Sequence, residues 1–451
     1  MVIQMRNRAF IFLVVSLLIG PQAAGADWPE WRGPGREGRW VDVLLPSKLS
    51  PETIEKIWSA QIGAGYSGIS VAEGRVLTMD RPGKSSRERI ICLDRKTGNL
   101  VWTHEQEVDY GDMDYANGPR CTPTIHAGRV YTQGALGHVH VLELESGKPL
   151  WNFDVHRELG GKLPEWGHAP SPLVADGLVH VQGGGPPGPT LLALDAATGK
   201  ERWRALTDKL GYSSLVLAKV RGSSQLVHWS AENIAGLDPR TGRVLWKSPY
   251  KSTNDVAIIS PVIKDEILFV SGYWEGSRAV RLDGQGEPET VWSGKGLSCL
   301  MSTPLLREGH LYALDKDSGL ECVEWRTGKV LWSDGHKTTP RERNPQASMV
   351  WAGERAVMLN ARGELILASL TPAGCEEQGR VKVCGDTWSH PAFSGNDIFV
   401  RAETELACWR IKGPSRRKAS QIQSDVRALQ PASRVSLPPG LTRKGQPMPS
   451  S

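Results

Sequence analysis

A chain of 451 residues that is 39% hydrophobic, with 49 Gly and 30 Pro scattered along it, is long enough for one large repeat array and too apolar to be disordered throughout. Its formal charge of +5 sits at the ends: the tail beyond Gly413 carries seven Lys and Arg against Asp425 alone, and the first 26 residues carry Arg6 and Arg8, which leaves the body at −3. A nucleic-acid reader carries its basic surface on the folded domain, so nucleic acid is excluded as the main partner.

Residues 1–26 read as a secretory signal peptide. Arg6 and Arg8 precede the apolar run "IFLVVSLLIG", which is short for a bilayer span, and "AGA" at 24–26 offers small residues for cleavage before Asp27. No Cys lies at that site to take a lipid, and nothing later approaches a transmembrane length. The expectation is an exported, monomeric protein of the periplasm or extracellular space. A lead-in segment (27–54) follows. Its "GPGREG" (33–38) fits G-x-G-x-x-G but contains Pro, follows no strand and opens no helix, so it carries no dinucleotide reading.

The body (55–412) repeats a ten-residue stretch: "LDRKTGNLVW", "LELESGKPLW", "LDAATGKERW", "LDPRTGRVLW" and "VEWRTGKVLW". The copies end on Trp102, Trp151, Trp203, Trp246 and Trp332, with Trp292 in a degenerate copy and Trp58 in phase ahead of them. Spacings of some forty to fifty residues match a four-stranded propeller blade. Upstream of each copy stands a Pro or small residue, then two short apolar runs around a turn, as in "TPTIHAGRVYTQG" and "SPLVADGLVHVQG". Their alternation has the period of strands. Within the ten residues, Asp bonds turn backbone, Gly accepts the left-handed conformation, and the Trp is large enough to fill the wedge between blades.

The predicted fold is therefore all-β, an eight-bladed propeller with strand pairs at 69–94, 122–144, 171–194, 214–237, 259–282, 302–325, 347–370 and 390–410. The last pair lacks an outer strand and "KIWSAQIG" (56–63) lacks a blade, so the N-terminal strand is expected to close the ring. Seven blades remain the alternative if 347–385 pairs differently. Residues 413–451, rich in Ser, Pro and basic residues, read as a disordered tail.

Cys92, Cys322 and Cys408 share one blade position, which is Ala193 or Gly236 elsewhere, and so read as small buried hydrophobes. Cys375 and Cys384 flank "EEQGRVKV", read as a hairpin, and form the one candidate disulfide. "HVH" (138–140) puts two imidazoles on one strand face, a metal pair in principle, but its place inside a repeated strand favours surface strand residues. No metal site is predicted.

Function is expected where the copies stop resembling one another, in the loops entering the innermost strands, which gather at one mouth of the channel. There the candidate ligand-facing set is Asp112, Asp114, Tyr115, Asn117, Arg120, His168, Asn254, Asp255, Arg343, Asn344, Trp388 and His390. Such a mixture suits a sugar, a peptide or a calcium ion, and equally an ordinary solvated surface.

The Trp-ended repeats resemble those of the pyrroloquinoline-quinone (PQQ) repeat propellers, a superfamily that holds quinoprotein alcohol dehydrogenases and the non-catalytic outer-membrane protein assembly factor of the BamB type. "DWPEWRGPGREG" and the stretch 211–246 are more similar to exported bacterial PQQ-like propeller proteins. For an enzyme, the resemblance implies a catalytic Asp, a calcium site of carboxylate and amide oxygens, a Trp under the cofactor and often a vicinal Cys pair. No Cys-Cys occurs here, and no catalytic residue of the dehydrogenases maps onto this chain. No cofactor is therefore expected, with PQQ and calcium as the alternative. The expected function is a non-catalytic scaffold binding a protein or other cell-envelope component. The alternatives are an atypical PQQ-dependent dehydrogenase, or a hydrolase or lyase using the mouth carboxylates.

Overall fold

The computed structural model describes residues 27–282 and 286–413; the signal-peptide reading and the tail beyond Gly413 fall outside them. Over the described residues the chain forms eight antiparallel four-stranded blades. Blades 1 to 7 span 70–107, 124–154, 173–205, 216–249, 262–294, 305–333 and 347–382, each running from inner to outer strand in chain order. Blade 8 has three strands from 392–411, and its outer strand is the N-terminal Ile54–Gln61, paired antiparallel from Ile54 opposite Ile411 to Gln61 opposite Glu405. The ring closes as predicted. Eight blades form rather than seven because 347–382 builds a complete sheet of its own, to which Arg39–Trp40 adds a short parallel strand on the inner edge. No helix among the described residues is long and apolar enough to cross a membrane.

The repeated stretch joins neighbouring blades. Its Asp starts a tight turn: Asp94 Oδ1 accepts from the backbone of Lys96 and Thr97 and from the Thr97 hydroxyl, and Asp195 repeats the pattern. The closing Gly donates back to the Asp carbonyl with φ near +70°, a conformation that disfavours any side chain. The Trp of the preceding blade lies on that Gly. Trp102 of blade 1 covers Gly147 of blade 2 and donates its indole N–H to Leu144 O at 2.9 Å. The pairs Trp58–Gly98, Trp151–Gly199, Trp203–Gly242 and Trp292–Gly328 do the same. On its own blade the Trp faces a small residue across the ladder at six of the seven positions: Cys92 opposite Trp102, Ala193 opposite Trp203, Gly236 opposite Trp246, Ala279 opposite Trp292, Cys322 opposite Trp332 and Cys408 opposite Trp58; Trp151 faces Val141. Three joints differ: Trp246 donates to Gln225 of its own blade, Trp332 reaches Thr371 O of blade 7 without covering Gly374, and the outer strand of blade 7 carries no Trp for blade 8.

A second belt links the inner strands. Ser and Thr hydroxyls at the start of the inner strands bond the backbone of a neighbouring blade: Ser171 Oγ accepts from Thr122 N (3.0 Å), Ser214 Oγ from Ser171 N (3.2 Å) and Thr303 Oγ1 from Ser260 N (3.1 Å), each from the preceding blade, while Ser67 Oγ donates to Cys121 O of the following one (2.6 Å).

The predicted Cys375–Cys384 bridge is corrected. Their intervening residues are a single strand, Gly374–Lys382, not a hairpin; the turn precedes it at 372–373, so the two thiols stand at opposite ends and are free. An extended strand of that length separates them by ~30 Å, far beyond disulfide reach. The reading of "HVH" as surface residues also fails for His140, which is buried against the His104 ring, centroids 4.9 Å apart.

Two outcomes follow from this packing. Trp102→Ala empties an inter-blade wedge and is expected to lower stability by ~3–5 kcal/mol. Gly147→Ala, which adds a carbon 2.5 Å from that ring at positive φ, is expected to cost more than ~1 kcal/mol; urea midpoints at unchanged m-value measure both. Thiol titration of the denatured, unreduced protein is expected to count all seven cysteines as free.

Candidate functional site

The meander order of each blade puts the loops entering the inner strands at one end of the ring and the repeated Asp–Gly turns at the other. From the turn end, residues 27–40 enter the channel as a loop. Its two ends stay low: Asp27 accepts from Glu73 N at a blade 1 turn, and Trp40 pairs with Ala352 at the foot of blade 7. Between them it touches all eight inner strands or their lead-ins. Trp28 exchanges backbone bonds with Val71, and Pro29 O accepts from Ile125 N. Arg36 donates to Ser171, Pro172 and Leu215 carbonyls while paired with Glu30 at 3.0 Å. Trp31 donates to Ser260 Oγ, Arg32 reaches Thr303 O at 3.4 Å, Gly38 O accepts from Trp351 N, and the Trp31 ring lies 3.9 Å from that of His390. Arg32 is 6% exposed and has no ion pair among the described residues; burial lowers its pKa to about 10. The axis is thus filled from below, and the mouth above it is a blind cup.

Aromatic rings line one side of that cup, each from a different loop. Trp388 stacks on Tyr66 at 5.8 Å and lies 5.6 Å from Tyr115; Tyr115 meets Trp166 at 6.5 Å, and Trp166 meets Tyr212 at 5.1 Å. Tyr115 is 43% exposed, and Tyr66, Trp166 and Trp388 are half-buried. The Arg120 guanidinium lies over the Tyr66 ring at 5.7 Å, held by the carbonyls of Gly118, Asp114 and Tyr115. A cleft of about 360 Å³ opens between Tyr66, Tyr115, Asn117, Trp388, Glu342 and Glu403, and a second of about 570 Å³ shares Asn117 and Glu403 with it. Beneath Arg120, the Glu88 carboxyl is fully enclosed, accepting from Tyr110 OH and Ala135 N; burial raises its pKa.

The sequence-predicted set is only partly gathered. Tyr115, Asn117 and Trp388 line the cleft, and Arg120 lies against Tyr66. Asp112 and Asp114 are exposed on the same loop. Asn254 and Asp255 form a separate turn, Thr253–Asp255, outside both clefts. Arg343 is exposed and gives only its carbonyl, to Tyr273 OH, with Asn344 beside it. His168 and His390 face inward instead: His168 is buried against Gln182 and His156, and His390, half-buried, lies against Trp31. Missed were Tyr66, Trp166, Glu342 and Glu403, and the whole axial loop. Its signal was present: a segment rich in Trp, Arg and Gly that belongs to no repeat.

Four histidines are held neutral by burial, which lowers His140, His168 and His390 to about 3 and His228 to about 4. The unfolded chain takes up protons at these rings below about pH 6.5 while the folded chain does not. Their stability contribution is therefore complete above pH 6.5 and is lost as pH falls through 6.5 towards 4. Urea midpoints are expected to drop between pH 7 and 5, before carboxylates titrate, and His390→Gln is expected to reduce that slope by about 1.4 kcal/mol per pH unit.

A family model described as outer membrane protein assembly factor BamB matches residues 86–293 and 257–436. The BamB of Moranella endobia is 22% identical over 389 residues, covering 80% of this chain and 92% of its own length. The quinohemoprotein alcohol dehydrogenase ADH IIB of Pseudomonas putida is 30% identical over 202 residues, but those are 41% of this chain and 27% of the dehydrogenase, so the chain spans only about a quarter of that relative's length. Among solved structures, BamB of Moraxella catarrhalis superposes with a TM-score of 0.56 at 15% identity, covering 80% of this chain and 98% of that one. The quinohemoprotein alcohol dehydrogenase of Comamonas testosteroni gives 0.64 at 13% identity, covering 86% and 81%.

Proposed function

Because the chain belongs to the PQQ-repeat propeller family whose model is described as outer membrane protein assembly factor BamB, we propose that it is an exported, non-catalytic scaffold that docks a protein of the cell envelope at the channel mouth. The observation that carries this reading is the set of half-exposed rings, Tyr66, Tyr115, Trp166 and Trp388, ranged beside the Arg120 guanidinium. Tyr, Trp and Arg dominate the energetically important centres of protein interfaces, because they bury much area at little entropic cost and still offer a polar tip. Polar Asn117, Glu342 and Glu403 at the cleft edge suit an interface rim. That the BamB relative is matched over nearly its whole length, and the dehydrogenase over a quarter, supports the same choice.

The quinone alternative fits less well, because the axis below the mouth is taken by Trp31, Arg32 and Arg36.

The test is photo-crosslinking in the native envelope from a reactive residue placed at Tyr115. A discrete protein adduct is expected, weakened by Trp388→Ala, which is half-exposed and should change stability by less than ~1 kcal/mol, and absent when the reactive residue replaces Val244 on an outer strand. No adduct from Tyr115, or calcium-dependent dye reduction by the PQQ-reconstituted protein, would overturn the scaffold reading.

A further inference from the structure

Between blades 2 and 3 the chain makes a long excursion, 155–172, that carries the one α-helix among the described residues, Val155–Leu159. It brings His156 and His168 face to face, with their Nε2 atoms 2.9 Å apart. One of the two rings has its protons assigned by its surroundings. Gln182 Nε2 donates to Gly211 O at 2.7 Å, which turns Gln182 Oε1 towards His168 Nδ1 at 2.8 Å. An oxygen there accepts, so Nδ1 carries the hydrogen and the His168 Nε2 lone pair points at His156. This is the arrangement of a metal-ligating imidazole, whose far nitrogen donates to a fixed acceptor. The wall beside the two rings is Gly137, where a side-chain carbon would stand 3.0 Å from the His156 ring and 3.2 Å from His168 Nε2. His156 is half-buried on a helix of only five residues, so one side of the pair is open to water and one ring can move.

We propose that His156 and His168 form a binding site for a late first-row divalent cation, Zn²⁺ or Cu²⁺, held between the two Nε2 atoms with water completing the coordination. Imidazole nitrogen suits these ions and not calcium or magnesium. Metal–nitrogen bonds of ~2.0–2.1 Å at a tetrahedral angle need the nitrogens ~3.3 Å apart, a few tenths of an ångström more than the present separation. No third His, Cys, Asp or Glu side chain joins the pair among the described residues, so the site keeps open positions and binds more weakly than a closed structural one.

The test is calorimetric titration of the purified protein with zinc and with copper salts at pH 7, alongside thermal melts with and without metal. A saturable site is expected, weakened at least about tenfold by His156→Ala, which removes the half-exposed ligand. His168→Gln should act likewise, and His126→Ala, an exposed strand residue, should retain the site. The metal-induced rise in Tm is expected in the wild type and in the His126 variant and lost in the other two. Absence of saturable binding below ~1 mM, or binding and Tm shifts that His156→Ala leaves unchanged, overturns the proposal and leaves the pair as a plain imidazole–imidazole hydrogen bond.

Discussion

The ring depends on one contact repeated around it, an indole seated on the turn glycine of the next blade. A four-stranded blade exposes two apolar faces and cannot bury either alone. The Trp fills the widening gap at the outer edge, its N–H satisfies a turn carbonyl that would otherwise be buried unpaired, and the turn Gly has no Cβ to hold the ring away. Five joints carry this contact in full, at Gly98, Gly147, Gly199, Gly242 and Gly328, and in blades 1 to 3 the turn receives one indole while the outer strand offers the next. The N-terminal strand makes the chain consistent. Trp58 sits on an outer strand completed by blade 8 and docks on Gly98 of blade 1, so closing the last blade also latches the first.

That division of labour separates scaffold from site. The turn end is occupied by structural contacts, and the axial loop of residues 27–40 enters from that side to seal the channel. What remains free is the opposite mouth, where the loops owe nothing to the repeat. A blind cup with aromatic walls is a surface for docking rather than a passage. Its lower part is set by Trp31, Arg32 and Arg36, residues of a segment that lies outside every blade.

Periodicity made the fold legible. The Trp spacing, the Pro-led inner strands and the complementary deficits at the two ends together pointed to eight blades and their closure, with seven left open by the weak segment 347–385. The site was legible only by subtraction, because a loop that differs from its counterparts shows where chemistry can sit but not which way a side chain turns. Tyr115, Asn117 and Trp388 turned to the cleft. His168 turned inward because Gln182, from a neighbouring strand, offered its ring nitrogen an acceptor. The disulfide reading failed for a related reason: "EEQGRVKV" has a Gly that suggests a turn, yet the ladder with the preceding strand continues through Gly379 as a bulge and keeps the segment extended.

His390 shows how a single segment breaks the ring's near-symmetry. Four other blades carry a hydroxyl residue just before the Pro that leads the inner strand, Thr122, Ser171, Ser260 and Thr303, and the hydroxyls of Ser171 and Thr303 accept from the preceding blade in the belt that ties neighbours together. Blade 8 has His390 at that position, and its ring lies on Trp31 of the axial loop. A hydroxyl could have served the belt there, but it could not have covered an indole. The substitution fits an axial loop that is a permanent part of the fold, since a half-buried histidine held neutral on the inner wall loses its aromatic cover once that loop leaves. A departure from the repeat on the inner wall therefore identifies the loop as part of the core, and the departures at the mouth, which have no such partner, are the ones left for a ligand.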